Sequence, residues 1–166
     1  MPSLSELNTL PQDAFTTALA GIFEHSDWVG ARAWARRPFA SVETLHEAMC
    51  AVMHEASDVE KLSLICAHPD LGDRLASLSP ESTAEQQASG LRSLSESEHA
   101  RFQSFNASYK ARFGFPFILC ARLNDPQSML RSFEARLTND RETEIATALA
   151  EIEKIARLRL DQLFCR

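Results

Sequence analysis

Residues 95–121 read SESEHARFQSFNASYKARFGFPFILCA, and this stretch decides between a helical protein and a mixed one. Ser95 followed by Glu98 is a capping box, in which each side chain satisfies an amide that the first turn leaves unpaired. Phe102, Phe105, Tyr109 and Phe113 then recur every three or four residues, which places four rings on one helical stripe. Gly114 ends it, because glycine enters the left-handed conformation without steric cost. The run after this glycine, Phe115-Pro116-Phe117-Ile118-Leu119-Cys120-Ala121, is the only segment that could pass for a short strand. Pro116 lacks the donor that a central strand needs. The expected fold class is all-α.

Moving outward, the same signals recur. Ala14, Phe15, Ala18, Leu19, Ile22 and Phe23 keep helical spacing after Pro11, a favoured first-turn residue. Ser41 opens a helix with Val42, Leu45, Met49, Val52 and Met53 on one side. Ser57 with Glu60 is a second capping box, and Ser82 with Glu85 a third, leading to a stop at Gly90. Asp125-Pro126 caps a helix carrying Met129, Leu130, Phe133 and Leu137. A last helix is expected from about Asp140 to Leu163, and the Ser-rich region from Gly72 to Ser95 is the candidate substrate-facing loop.

A chain of 166 residues that is 45% hydrophobic has the size and composition of one globular domain, expected over 1–166. Lys and Arg number 17 against 23 Asp and Glu, a formal charge of −6 with no basic run, which argues against nucleic acid. An anionic small molecule would need a local cationic site. No segment reaches the roughly 18 apolar residues of a membrane span, and the N-terminus lacks a secretion signal. Cys50, Cys66, Cys120 and Cys165 form no CxxC pair, and Phe164-Cys165-Arg166 is not a peroxisomal address. A reduced protein in the cytoplasm is expected.

Three residues stand out chemically. His68, in Ala67-His68-Pro69-Asp70, ends a helix just before a residue that forbids its continuation, so its ring sits at a rigid corner. It is either a turn residue or a proton-transfer group, the imidazole being the side chain that titrates near neutrality. Arg159 falls within the arc of about 100° that holds Ile145, Ala148, Leu149, Ile152, Ala156 and Leu163. A guanidinium there needs an anion, supplied by a buried carboxylate or by a ligand, unless its stem snorkels to water. Glu85 either completes its capping box or faces a ligand at a helix start, where Gln86 adds an amide that donates and accepts. A zinc site has little support, since His25, His46, His54, His68 and His99 include no i, i+4 pair. The remaining alternative is a non-catalytic helical interaction module using the aromatic segment 113–119.

Taken together, these segments resemble the 2-oxo-4-hydroxy-4-carboxy-5-ureidoimidazoline (OHCU) decarboxylases of urate breakdown over nearly the whole chain. The residues that carry the likeness are Ala67-His68-Pro69-Asp70-Leu71, Ser82-Thr83-Ala84-Glu85-Gln86, and Phe102 through Asn106, Tyr109 and the FGFPFI run to Arg122. Arg136-Leu137-Thr138-Asn139 and Arg159-Leu160 complete them. The resemblance implies an all-α, homodimeric enzyme without metal or organic cofactor, converting OHCU to (S)-allantoin and CO2. By position it implies His68 as the proton-transferring residue with Glu85 as its carboxylate partner. It implies a substrate-binding set of Pro69, Ser82, Thr83, Ala84, Glu85 and Gln86, of Phe117, Ile118, Leu119, Cys120 and Ala121 through backbone groups, and of Arg159 for the carboxylate.

Overall fold

A computed structural model describes residues 3–73 and 78–164, and among them lie nine α-helices and no strand. The chain divides into two compact units, Met1–Ala67 with Glu153–Arg166, and His68–Ile152. No helix among the described residues is long and apolar enough to cross a membrane.

The first unit holds α1 (Leu4–Leu7), α2 (Gln12–Ala18), α3 (Trp28–Ala33), α4 (Val42–Glu55), α5 (Asp58–Cys66) and the C-terminal part of α9 (Arg141–Phe164). Helix α3 packs against α2 and α4, and Leu7, Phe15, Val29, Leu45 and Met53 are fully buried. Ser41 and Ser57 cap α4 and α5 as expected, each with its reciprocal bond. Helix α2 is shorter than its apolar period. It stops at Ala18, and Gly21 turns the chain at φ 82°, yet Leu19, Ile22 and Phe23 remain buried beyond its end. Pro11 is the residue before the first turn rather than within it.

The second unit contains α6 (Pro80–Ala88), α7 (Glu96–Phe113), α8 (Pro126–Arg136) and the start of α9. Ser95 and Asp125 cap α7 and α8, and Gly114 closes α7 at φ 81°. The start of α6 departs from the expected Ser82–Glu85 box. Ser79 is the cap, its hydroxyl accepting from the Ser82 amide at 3.1 Å, with Pro80 in the first turn. A serine followed by a proline that needs no N–H partner sets an earlier start than the box does. The expected loop between Gly72 and Ser95 therefore contains a helix, while its residues 74–77 lie outside the described ones.

Rings fill the space between α7, α8 and the extended segment after Gly114. Phe117 stacks on Phe133 with centroids 3.7 Å apart, and Tyr109 meets Phe117 edge-on at 5.1 Å. Phe102 and Phe105 close on the same Phe133 ring at 6.1 and 5.4 Å. Segment 115–120 is extended but has no ladder neighbour among the described residues, in keeping with Pro116.

The caps make stability pH-dependent. The Arg32 guanidinium, with the Ser57 amide and hydroxyl, lowers the Glu60 carboxyl from 4.5 to about 2. Amide and hydroxyl bonds in the first turn likewise lower Glu98, Asp125 and Asp140. A folded-state value below the unfolded one means stabilisation that is complete above about pH 4.5 and lost as pH falls through the folded value. Glu60→Gln should melt below the parent protein at pH 6, and the two melting curves should converge as pH approaches 2. A gap that persists unchanged at low pH would remove the Arg32–Glu60 charge from the account.

Candidate functional site

Helix α5 ends at Cys66 with Ala67 as its cap, so His68 and Pro69 form the corner the sequence calls for. His68 is 7% exposed and Pro69 half-buried. The backbone after them is held by side chains. Gln86 donates from Nε2 to the Asp70 carbonyl at 3.1 Å and accepts the Gly72 amide on Oε1 at 3.0 Å. Asn106 donates from Nδ2 to the Leu71 carbonyl at 2.9 Å, and Lys110 pairs with Asp70 at 2.5 Å. Two successive peptide groups, Asp70–Leu71 and Leu71–Gly72, are thus fixed shortly after His68.

Helix α6 carries the second group of expected site residues. Ser82 and Gln86 are buried, Thr83 and Glu85 half-buried, and Ala84 is exposed. Glu85 is the sixth residue of α6, past the first turn. It serves neither a capping box nor the positive end of the helix dipole, which removes the local role its sequence allowed. Both ends of the Gln86 amide meet the backbone of the His68 turn, so this expected substrate ligand is first a structural partner of the corner.

Helix α6 packs against the short 3₁₀ turn Ala121–Leu123, which brings it to the end of the Phe117–Ala121 segment. That segment is buried throughout. Arg136 donates from NH1 to the Ile118 carbonyl at 2.6 Å and lies 4.3 Å over the Phe117 ring. Glu151 accepts the Cys120 amide at 2.8 Å, and Asn124 donates to the Cys120 carbonyl at 3.0 Å. The Cys120 amide is therefore committed within the protein, and the backbone donors a ligand could address are those of its neighbours.

Arg136 belongs to a buried network. Its Nε donates to Glu144 at 2.9 Å; Tyr109 donates its hydroxyl to the same carboxylate, and Asn139 donates to the other oxygen at 2.8 Å. Burial, and then the bond to Glu144, push the Tyr109 phenol above its ordinary range, so it remains a donor. Asn106, Arg136, Glu144 and Glu151 are all buried, and their chemistry was not singled out from the sequence. The signal was present. Asn106 falls between Phe102 and Tyr109 on the α7 stripe, Arg136 follows Phe133 by three residues, and Glu144 and Glu151 share the stripe of Ala148 and Ile152.

In the first unit, Arg159 is 5% exposed, as its position in the apolar arc requires. Its NH1 donates to the Gly21 carbonyl at 2.7 Å and to Glu24 at 2.9 Å, with both side chains buried. The carboxylate partner comes from outside the helix. Arg157, off the arc, pairs instead with Glu43 and Asp161. Burial, with the Glu153 and Glu47 charges, pushes the Cys50 thiol up to about 12, which disfavours the thiolate.

A family model described as OHCU decarboxylase matches residues 8–161 and so spans both units. The 2-oxo-4-hydroxy-4-carboxy-5-ureidoimidazoline decarboxylase of Haloferax volcanii is 41% identical over 162 residues, covering 98% of this chain and 96% of that protein. A crystal structure described as (S)-allantoin synthase is similar at a TM-score of 0.77 and 31% identity, over 98% of this chain and 54% of that one. A crystal structure of OHCU decarboxylase in the presence of (S)-allantoin has a TM-score of 0.73 over 93% of this chain and 99% of that one; at 22% identity it bears on the fold. With its His-Pro corner, its helix α6 and its FGFPFI segment in the matched region, the chain belongs to the OHCU decarboxylase family.

Proposed function

We propose that this protein decarboxylates OHCU to (S)-allantoin and CO2 in urate breakdown. The observation that carries the reading is that one unit holds His68 at a fixed corner, Glu85 on α6 and the Phe117–Ala121 segment, in a chain whose family match runs from 8 to 161. The substrate bears a carboxylate and a hydroxyl on one ring carbon, next to an imine. Breaking the bond to the carboxylate releases CO2 and passes the electron pair into the imine π-system. The imine nitrogen that receives the pair takes up a proton, and the enol becomes allantoin when its hydroxyl proton leaves and a proton is added to the ring carbon bearing the ureido group.

The residues divide this work. His68 delivers the proton to one face, with Glu85 as its carboxylate partner. Amides of Phe117, Ile118, Leu119 and Ala121 are the donors for the charge that develops on the ring. Ser82, Thr83 and Gln86 shape the polar part of the wall with Ala84 and Pro69 beside them, and Arg159 orients the departing carboxylate. Its NH1 is fixed by Gly21 and Glu24, which pre-sets the plane of the guanidinium. A homodimer in the cytoplasm that works without metal or organic cofactor completes the reading.

Generating OHCU in place from urate and following circular dichroism tests it. The parent protein should form optically active allantoin faster than the unassisted reaction. His68→Asn should lower that rate by about 10²–10⁴-fold, the range of a general acid–base group, with an unchanged melting temperature. Formation of (S)-allantoin at the parental rate by this variant would reassign His68 to the turn alone.

Arg159→Lys separates the two duties of the arginine. Losing a charge-assisted fork should raise KM roughly tenfold or more while kcat stays within a few-fold. A lowered melting temperature with unchanged KM would confine Arg159 to its pair with Glu24.

A further inference from the structure

We propose that Asn106 is a positioning residue for His68, acting through the turn just after it; this rests on the proposed role of His68 in proton delivery. Asn106 is 4% exposed on the inner stripe of α7, where Phe102 and Tyr109 flank it one turn away on either side. Its Nδ2 donates to the Leu71 carbonyl, three residues after His68. Its Oδ1 is buried and accepts no hydrogen bond among the described residues. A buried amide satisfied at one end only gives little net stability, because an unpaired acceptor offsets what a single neutral bond contributes. An apolar residue would suit the ring stripe better. What the amide supplies is direction, since it fixes the plane of the Leu71 peptide against a long helix.

The clamp has a second jaw. Gln86, from α6, accepts the Gly72 amide, the other edge of the same Leu71–Gly72 peptide, and donates to the Asp70 carbonyl of the peptide before it. Gly72 has φ +73°, and a side chain there would press on Leu94 and touch Phe102. The turn is therefore tied from two helices and packed close, while Pro69 restricts the backbone of His68 from the other side. These restraints leave the imidazole one corner geometry. Proton delivery to a single face of a planar intermediate needs that, because a donor displaced by about 1 Å can lose as much as 10²-fold in rate.

Asn106→Ala and the isosteric Asn106→Asp, which lacks the donor, test the clamp. In both, hydrogen exchange at the Gly72 amide should accelerate about tenfold or more, while amides in the middle of α7 keep their parental rates. The NMR titration midpoint of His68 should move. With OHCU, kcat should fall about ten- to hundredfold with KM within threefold, and the allantoin formed should shift from the S enantiomer toward the racemate. Parental Gly72 exchange and parental His68 titration in both variants would overturn the proposal. So would a rise in KM with kcat and exchange unchanged, since Asn106 would then be contacting substrate. If the parent protein does not turn over OHCU, the functional reading fails by itself, and the exchange and titration results still decide the clamp.

Discussion

A backbone that runs extended through a protein core must hydrogen-bond somewhere, and in this molecule charged side chains take the place of a sheet. The Phe115–Cys120 segment has no neighbouring strand among the described residues. Arg136 meets the Ile118 carbonyl and Glu151 meets the Cys120 amide, 18 and 31 residues away in sequence. Each of these ions has its own requirement. Arg136 is balanced by Glu144, and Glu144 is saturated by Tyr109 and Asn139. Ions removed from water need such complete pairing, or the desolvation penalty dominates. The polar network and the extended segment thus depend on each other: without the segment the Arg136 NH1 donor lacks its acceptor, and without the network the buried peptides lack partners.

The same logic governs the corner at His68, with amides in place of ions. Pro69 stops α5 but satisfies nothing, and the carbonyls of Asp70 and Leu71 would be left without donors. Gln86 and Asn106 supply them from two helices. Both regions the functional reading requires are therefore irregular backbone held by side chains from regular elements. Helices give the stiffness to the irregular backbone, the usual arrangement where a turn must be both accessible and rigid.

Local signals carried the fold in the sequence, and only local ones. Four of the five expected capping or Asp-Pro starts, at Ser57, Ser95, Asp125 and Ser41, stand where the residues placed them. The fifth failed because two serines three residues apart both fit a cap, and Pro80 decided for the earlier one. Helix α2 was overextended because burial keeps an apolar period going after Gly21 has turned the chain. Helix α3 has only six residues before the chain tightens into a 3₁₀ turn at Trp34–Arg36, too few for a period. In the candidate site, the corner at His68 was legible from Pro69, but the partners of Gln86 and Arg159 were not. They lie 14 to 138 residues away, and spacing along one helix holds no information about them.

Helix α9 carries three charges in a core register. Glu144, Glu151 and Arg159 stand seven and eight residues apart, within about 80° of one another on an apolar stripe. Only the cation stands out by sign on that stripe, since carboxylates are common throughout the helix. All three prove to be buried and paired, with Arg136, with the Cys120 amide, and with Glu24 and the Gly21 carbonyl. A charge in a core register therefore marks a place where backbone or another ion must be held, before it marks a ligand. Arg159 meets a substrate carboxylate, in the proposed reaction, as half of an existing pair. Its contribution then comes less from net charge than from a guanidinium plane already fixed, and orientation of the scissile bond against the π-system is what a decarboxylation needs from such a group.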